Sequence, residues 1–465
     1  MSSTNSRPAP VDLHHTHLSG VFAPQRREVA LDDLPVTGQL PADLHGSYLR
    51  NGPNPRFDPI GSYVYPLDGD GMVHEIGIAD GRVSYRNRFV RTPMVRAEEA
   101  AGHAIWSGLT DGYTPSVAEV GPELAGTVRE LPDINVVSHA GRLLAMAEAD
   151  QPYRLDPADL ATLARTDCAG AMRVGSTAHP KIDPATGEMV LFNYTLEAPY
   201  LTWSVVGADG SALREPTPVT GLPKPTMIHD MALTARYIVL IVCPLRFDLV
   251  AAMTGGSLLS WQPDDGTAIA LIPRDGSPVR WIDAEPFWVW HFANAFDNPD
   301  GTVTVDYVEW TRPGGFSAGP QAPSSALVRA TCDPAAGRIT RSTIGERAVN
   351  VEFPRVDDRL LTRDHRWIAS VGPARGDSGD SESLWFSDPA TETEVCWSPG
   401  VAIGEPIYLP GDSHDYWGAI GTDPTDLRSR FYLLSAQDPA AGPLATVDLP
   451  IRVPAGLHGT WVPAS

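Results

Sequence analysis

Apolar residues along this chain fall in short clusters rather than in long periodic stretches. Runs of strand length occur at Arg142–Glu148, Met189–Tyr194, Tyr237–Val242, Thr302–Trp310, Trp367–Val371 and Phe431–Ser435. Turn signals stand between such runs, among them Asp209-Gly210, Asp300-Gly301 and Pro410-Gly411. Helical periodicity is scarce; short helices are expected around Ala97–Gly102, at Pro157–Ala164 and at Phe247–Met253. Many short strands without a low-complexity linker predict one closed or radially repeated β architecture. A propeller fits: seven blades would take roughly 66 residues each, with surplus chain for long loops over one face. No 40-residue repeat or Trp-Asp pattern marks the blades, and a two-sandwich arrangement stays open on the pattern alone.

Composition narrows the functional classes. Glycine (42) and proline (44) supply nearly a fifth of the 465 residues, which accounts for the brevity of the runs. With 42% apolar residues the chain can bury a large core, either as one big domain or as two to three ordinary ones. A net charge of −22 repels nucleic acid and anionic headgroups, which disfavours a broad phosphate-binding role. The basic residues are almost all arginine; Lys181 and Lys224 are the only lysines. Cys168, Cys243, Cys332 and Cys396 lie far apart with no Cys-x-x-Cys pair, as expected for small buried hydrophobes in a reducing cytoplasm. The polar start, Met1 to Pro10, has no signal-peptide core, and no run reaches the length of a membrane span. The expectation is a soluble cytoplasmic protein, with residues 1–20 a flexible arm and 21–465 one domain. The segment Leu245–Trp261, with Phe247, Leu249, Val250, Met253, Leu258, Leu259 and Trp261, either covers a blade or makes a weak contact with a membrane surface.

Of the 13 histidines, any one taken alone reads as a hydrogen-bonded core or surface residue, and His14, His15 and His17 lie in the polar arm. Three differ in setting. His179, in Thr177-Ala178-His179-Pro180-Lys181, His229, in Met227-Ile228-His229-Asp230, and His291, in Trp288-Val289-Trp290-His291-Phe292, each stand just ahead of a β run. Spacings of 50 and 62 residues are too wide for one helix or hairpin and suit equivalent positions on successive blades, where strand starts converge on an axis. His458, in Gly456-Leu457-His458-Gly459, is placed to close the ring from the last blade.

Several strings in order carry a resemblance that runs through the whole chain. They are Leu49-Arg50-Asn51-Gly52-Pro53-Asn54-Pro55, Asp68-Gly69-Asp70-Gly71-Met72-Val73-His74, the histidine segments, Glu352-Phe353-Pro354-Arg355 and the final Gly456-Leu457-His458-Gly459. In these the chain resembles the carotenoid cleavage oxygenase family, which includes apocarotenoid and lignostilbene dioxygenases. The resemblance implies an all-β fold, a seven-bladed β-propeller with a helical and loop cap over one face, and Fe(II) on its axis held by His179, His229, His291 and His458. Neutral imidazole suits iron, and four nitrogen ligands leave about two positions of an octahedron for dioxygen or water. The resemblance also implies glutamates that hydrogen-bond the ligand histidines, and Glu148, Glu352 and Glu405 match. Each stands among apolar or turn residues, where an unpaired carboxylate is costly; the competing reading is strand-end surface glutamates. His74 and the Asp68–Gly71 turn read as structural, and His139, His365 and His414 carry no assignment.

Two departures from the family pattern stand out. Many relatives carry threonine just before the asparagine that is Asn135 here, near the open iron position, whereas this chain has Ile134. Lignostilbene-type members engage a substrate phenol through an early lysine, and this chain has none before Lys181; nearby Arg129 holds its proton permanently and is no equivalent. The resemblance therefore implies an oxygenase that splits a carbon–carbon double bond of an apocarotenoid or carotenoid-like polyene with O2, giving two carbonyl products. Stilbene or phenylpropenoid cleavage is the nearest rival. The partners implied are O2 and a hydrophobic conjugated small molecule in an apolar tunnel, with no nucleic acid and no obligatory protein partner. Two other classes compete: a metal-free propeller acting as a binding scaffold, and a hydrolytic propeller that would centre calcium on carboxylates and amides. Metal analysis separates the three as iron, nothing or calcium.

Overall fold

Alternation between buried and exposed positions turns the short runs into sheets. Along Arg82–Phe89 every second residue is buried, whereas Leu201–Val206 and Tyr237–Val242, covered on both faces, are buried throughout. The computed structural model describes residues 7–64, 66, 68–248, 250–251, 257–314, 322–345, 350–373 and 382–464. It shows seven antiparallel blades, numbered here in chain order of their innermost strands. Blade 1 runs from Asn135–His139 to Thr162–Arg165, blade 2 from Lys181–Ile182 to Ala212–Pro218 and blade 3 from Ala232–Leu233 to Arg280–Ala284. Blade 4 runs from Trp288–Asp297 to Arg338–Thr343, blade 5 from Glu352–Arg355 to Thr393–Ile403 and blade 6 from Ile407–Pro410 to Pro443–Asp448.

Blade 7 closes the ring with strands from both ends of the chain. Its innermost strand, Gly459–Pro463, pairs with Gly46–Arg50, which pairs in turn with Met72–Ala79. A second tie comes from Val36–Gly38, which pairs with Pro443–Asp448 at the outer side of blade 6. The apolar clusters lie mainly between neighbouring blades. Val190, Phe192 and Trp203 of blade 2 pack on Ile238, Leu240 and Ile272 of blade 3, and Phe386 of blade 5 packs on Trp417 of blade 6. Each blade is thus stabilised by burial against two others.

The cap carries the helices. Pro93–Ala101 starts with proline in its first turn and the Thr92 hydroxyl accepting from Val95 N (3.2 Å); Gly102, at φ +76°, ends it. A shorter helix, Val117–Val120, begins where Glu119 accepts from the backbone and hydroxyl of Ser116. Met94, Ile105 and Trp106 join them in a small apolar cluster. The helix expected at Pro157–Ala164 is instead a turn followed by the strand Thr162–Arg165. Asp156 and Asp159 there accept from the backbone N–H of residues two ahead, and Leu160 adopts φ +63°, both incompatible with a helix. Phe247 ends a short strand, Leu245–Phe247, paired with Leu259–Trp261; Leu249 and Met253, on which the third helix and part of the apolar segment rest, lie outside the described residues. Phe247, Leu259 and Trp261 pack on the core, while Leu258 is exposed.

From Arg7 onward the N-terminal segment lies against the body: Arg7 donates to the Ala104 carbonyl (2.8 Å), Val11 N to the Pro59 carbonyl (2.9 Å), and Leu18 is buried. The four cysteines are free, three of them buried. Among the described residues no helix is long and apolar enough to cross a membrane.

The closure predicts a sensitive position. A Cβ at Gly459 would run into the Leu49 carbonyl oxygen and the Arg50 Cα of the paired strand. Gly459→Ala should lower unfolding stability by ~1–3 kcal/mol, read as a shift of the denaturant midpoint with little change in slope.

Candidate metal centre

Every innermost strand begins near the axis, and what stands there is divided by blade. His179 precedes the inner strand of blade 2, His229 that of blade 3, His458 that of blade 7, and His291 lies within that of blade 4. The three remaining blades bring carboxylates instead: Glu148 from the loop of blade 1, Glu352 at the start of blade 5 and Glu405 just ahead of blade 6.

Local structure aims each ring. The Thr177 hydroxyl accepts from His179 N (3.0 Å) and donates to the His229 carbonyl (3.3 Å). Register shifts on either side of Phe292 bulge the blade 4 strand at His291, a device that re-aims a side chain beside a site. His458 is held by the first family string. Its N–H donates to the Ile134 carbonyl (3.1 Å) and its carbonyl accepts from Asn51 N (2.9 Å), while the buried Asn51 amide donates to the carbonyls of Pro132 (2.9 Å) and Asn135 (3.0 Å). Asn135 in turn donates to the Ala178 carbonyl (2.9 Å), next to His179. Ile134 is half-buried and packs with Val137 and Met146.

One ring nitrogen from each of the four histidines lies within 4.8 Å of the other three. His179 Nε2 and His229 Nε2 are 3.1 Å apart. Ligand nitrogens at ~2.1 Å from one ion stand ~3 Å apart when adjacent and ~4.2 Å when opposite, so the spread matches a single ion. His291 Nε2 is buried without a hydrogen-bond partner, an orphan that such an ion would satisfy. The set contains no thiolate or carboxylate donor. These residues therefore fit a cation that accepts neutral nitrogen ligands.

The other ring nitrogens are engaged. His229 Nδ1 pairs with Glu148, His291 Nδ1 with Glu352 (2.5 Å) and His458 Nδ1 with Glu405 (2.9 Å). An Nδ1–H donated to a carboxylate leaves the Nε2 lone pair facing the axis. His179 pairs with no carboxylate among the described residues. Each glutamate is itself held: Glu148 by the Tyr194 hydroxyl, Glu352 by the Trp310 indole (2.7 Å), and Glu405 by Gly459 N (3.0 Å) and Arg355 (3.3 Å).

Electrostatics favour neutral rings at two positions. Burial, then the charge that His458, His229 and His291 would carry, holds His179 well below the usual histidine value. Burial brings His458 down to about 4, although Glu405 pulls upward. Burial acts the same way on His291, but Glu352 outweighs it and raises that ring. Burial alone would raise Glu405; Arg355 and then His458 reverse this and hold it at about 2.

Aromatic rings wall the group. Trp290 stands edge-on to His229 at 5.1 Å, and Phe353 stacks on His291 at 5.4 Å with its edge toward His458. A cavity of about 390 Å³ reaches His179, His291 and His458 along the axis past Lys181, Asp230 and Arg355. Asn51, Asp230 and Arg355 stood inside the motifs but had no role from sequence alone; a buried polar residue next to a candidate ligand was the available signal. His74, read as structural, is buried and hydrogen-bonds the Tyr85 hydroxyl (2.7 Å). Arg129 is half-buried in an ion-pair cluster with Asp70 and Glu98.

Comparison with known proteins agrees with this geometry. Residues 22–463 match the retinal pigment epithelial membrane protein family. The chain is 32% identical to a carotenoid cleavage oxygenase of Mycobacterium tuberculosis, over 98% of this chain and 99% of that protein. A lignostilbene dioxygenase from Pseudomonas brassicacearum superposes with a TM-score of 0.86 at 28% identity, covering 99% of this chain and 100% of the other. A variant of Synechocystis apocarotenoid oxygenase superposes at 0.83 with 27% identity, covering 95% and 97%.

The arrangement predicts about one divalent metal ion per chain, lost when any of the four histidines becomes alanine. Glu352→Gln should weaken metal retention ten- to a hundredfold while leaving the far-UV circular dichroism unchanged. Metal titration of the apoprotein checks both, and unaltered affinity in Glu352→Gln would remove that residue's role.

Proposed function

We propose, from the premise that this chain belongs to the carotenoid cleavage oxygenase family and is a dioxygenase of that type, that its metal is Fe(II) and its substrate an apocarotenoid or carotenoid-like polyene. His179, His229, His291 and His458 are the residues that would hold the ion. The observation that carries this reading is the convergence of four imidazoles, three of them backed by buried or half-buried glutamates. A binding scaffold has no use for such a group, and calcium would call for oxygen donors. Bound iron would supply the redox capacity that dioxygen chemistry needs and that zinc lacks.

The protein's own part is binding, orientation and exclusion of water. Glu148, Glu352 and Glu405 keep the proton of each partner ring on Nδ1, so the axial nitrogens stay free of protons. Trp290 and Phe353 present apolar surface beside the histidines, where a conjugated chain can lie. Cleavage adds both atoms of O2 across one double bond and yields two carbonyl fragments, with no proton to be supplied from outside. A weak contact of the Leu245–Trp261 segment with a membrane surface belongs to the same proposal, supported by exposed Leu258 and Val250.

Stilbene or phenylpropenoid cleavage is the second reading, favoured by the overall likeness to the lignostilbene dioxygenase. The cations argue for the polyene. Lys181 is paired with Asp230 at 2.9 Å, Lys224 with Asp265 at 3.5 Å, and Arg129 is committed to Asp70 and Glu98. A phenol would therefore meet only a lysine ammonium that already has a carboxylate partner.

Two measurements test the proposal. Protein loaded under reducing, anaerobic conditions should retain about one iron per chain and lose activity reversibly on chelation; activity without metal ends the proposal. In a paired assay of an apocarotenal, a 4-hydroxystilbene and its methyl ether, the apocarotenal should have the highest kcat/KM, with apolar contact contributing ~0.8 kcal/mol per buried methylene. Methylation of the phenol should change the rate little. Fast cleavage of the free phenol alone reverses the substrate ranking.

A further inference from the structure

Asp230 follows His229 directly and is buried, with its side chain 2% exposed, yet no role in the donor set accounts for it. Its carboxylate takes three donors from three blades. Lys181 Nζ of blade 2 lies 2.9 Å from Oδ1, Met231 N of its own blade 3 donates to Oδ1 (2.6 Å), and Phe292 N of blade 4 donates to Oδ2 (2.9 Å). Each donor is close in sequence to a histidine of the centre: Lys181 is two residues after His179, Met231 two after His229, and Phe292 one after His291. The Phe292 N–H belongs to the bulge in an innermost strand, which has no strand neighbour on its axial side, so Asp230 satisfies a group the ladder leaves over.

We infer that Asp230 is a positioning residue, whose single carboxylate sets the spacing of the three chain segments that carry His179, His229 and His291. The inference rests on the proposed metal site. It also accounts for the odd ring of the four. His229, His291 and His458 are each aimed by a carboxylate on Nδ1, and among the described residues His179 is not. In its place the strand just beyond His179 is pinned through Lys181 to the residue beside His229. A full charge pair suits this, because a buried carboxylate with several donors is held more rigidly than a neutral acceptor. Removing one partner leaves the other desolvated and displaced.

The test uses the full-length apoprotein titrated with Fe(II), and with Co(II) as a spectroscopic probe. Asp230→Asn keeps the size of the side chain but turns an amide NH2 toward a donor it must now repel. Its metal affinity should fall ten- to a hundredfold, with a changed Co(II) absorption spectrum and an apoprotein melting temperature within a few degrees of the parent's. Lys181→Met should produce a smaller loss, and the double variant should be no worse than Asp230→Asn alone, since both act through one contact. Affinity within threefold of the parent and an unchanged Co(II) spectrum in Asp230→Asn overturn the inference. So does a fall in affinity that disappears once the unfolded fraction of apoprotein is subtracted. Should Asp230→Asn fail to fold, Lys181→Met decides on the same two readouts. A parent protein that binds no metal overturns the proposed function, and this inference with it; a metal-binding parent with an indifferent Asp230→Asn overturns this inference only.

Discussion

The pairing of Gly46–Arg50 with Gly459–Pro463 is the contact on which the centre depends. Strands from opposite ends of the chain must meet, and the entropy lost in closing so long a loop rises only with the logarithm of its length. The ladder and the apolar faces of blades 6 and 7, with Tyr48, Ile76, Phe431 and Trp461, offset that loss. The same pairing delivers His458, one residue before the strand, to the other three histidines. Asn51, one residue after the opposite strand, clasps it there and ties it to blade 1. Fold closure and completion of the donor set are therefore one event.

Charge at the axis is arranged against the trend of the molecule. The chain carries a net −22, yet the carboxylates nearest the axis are each held by a ring or a cation. Three glutamates are tied to imidazoles, Asp230 to Lys181, and Glu405 additionally to Arg355. Burying so many carboxylates is unfavourable unless each finds donors or a cation. A divalent ion between the rings would draw on all of them at one remove. The acidity of the surface, by contrast, says nothing about the site and bears only on what the surface repels.

The fold was legible because its signals are local and repeated. The runs at Met189–Tyr194 and Tyr237–Val242 are strands to the residue, and Arg142–Glu148 is a strand up to Met146. Pro157–Ala164 misled because two aspartates and Leu160 build a turn out of residues that tolerate a helix. Blade count was less visible: the strands of a blade need not repeat in sequence, and blade 7 is assembled from distant segments. Among the polar residues, the four histidines and three glutamates stood out by family motif, and the structure pairs the glutamates with three of the histidines. Asp230 and Arg355 did not stand out, although both lie inside the motifs, because an aspartate beside a candidate ligand histidine looks the same in sequence whether it faces solvent or three donors.

The placement of carboxylates bears on why this centre suits oxygen chemistry. A glutamate bound directly to the ion would cancel part of its charge and occupy a position that O2 or water can use. Held one imidazole away, the carboxylate still makes the ring a better donor, while the position stays open. The pairs also cross blade boundaries: Glu352 of blade 5 reaches His291 of blade 4, Glu405 of blade 6 reaches His458 of blade 7, and Glu148 of blade 1 reaches past blade 2 to His229. Each bond that aims a ring thus also fixes one blade against another, and motion of a blade would be felt at the ring nitrogens that face the axis. A propeller is stiff for this purpose because its blades are already locked by apolar layers. On the proposed function, the rigid axis would serve any substrate alike, and the aromatic walls beside it, Trp290 and Phe353 foremost, are where a change of substrate would be accommodated without disturbing a bound ion.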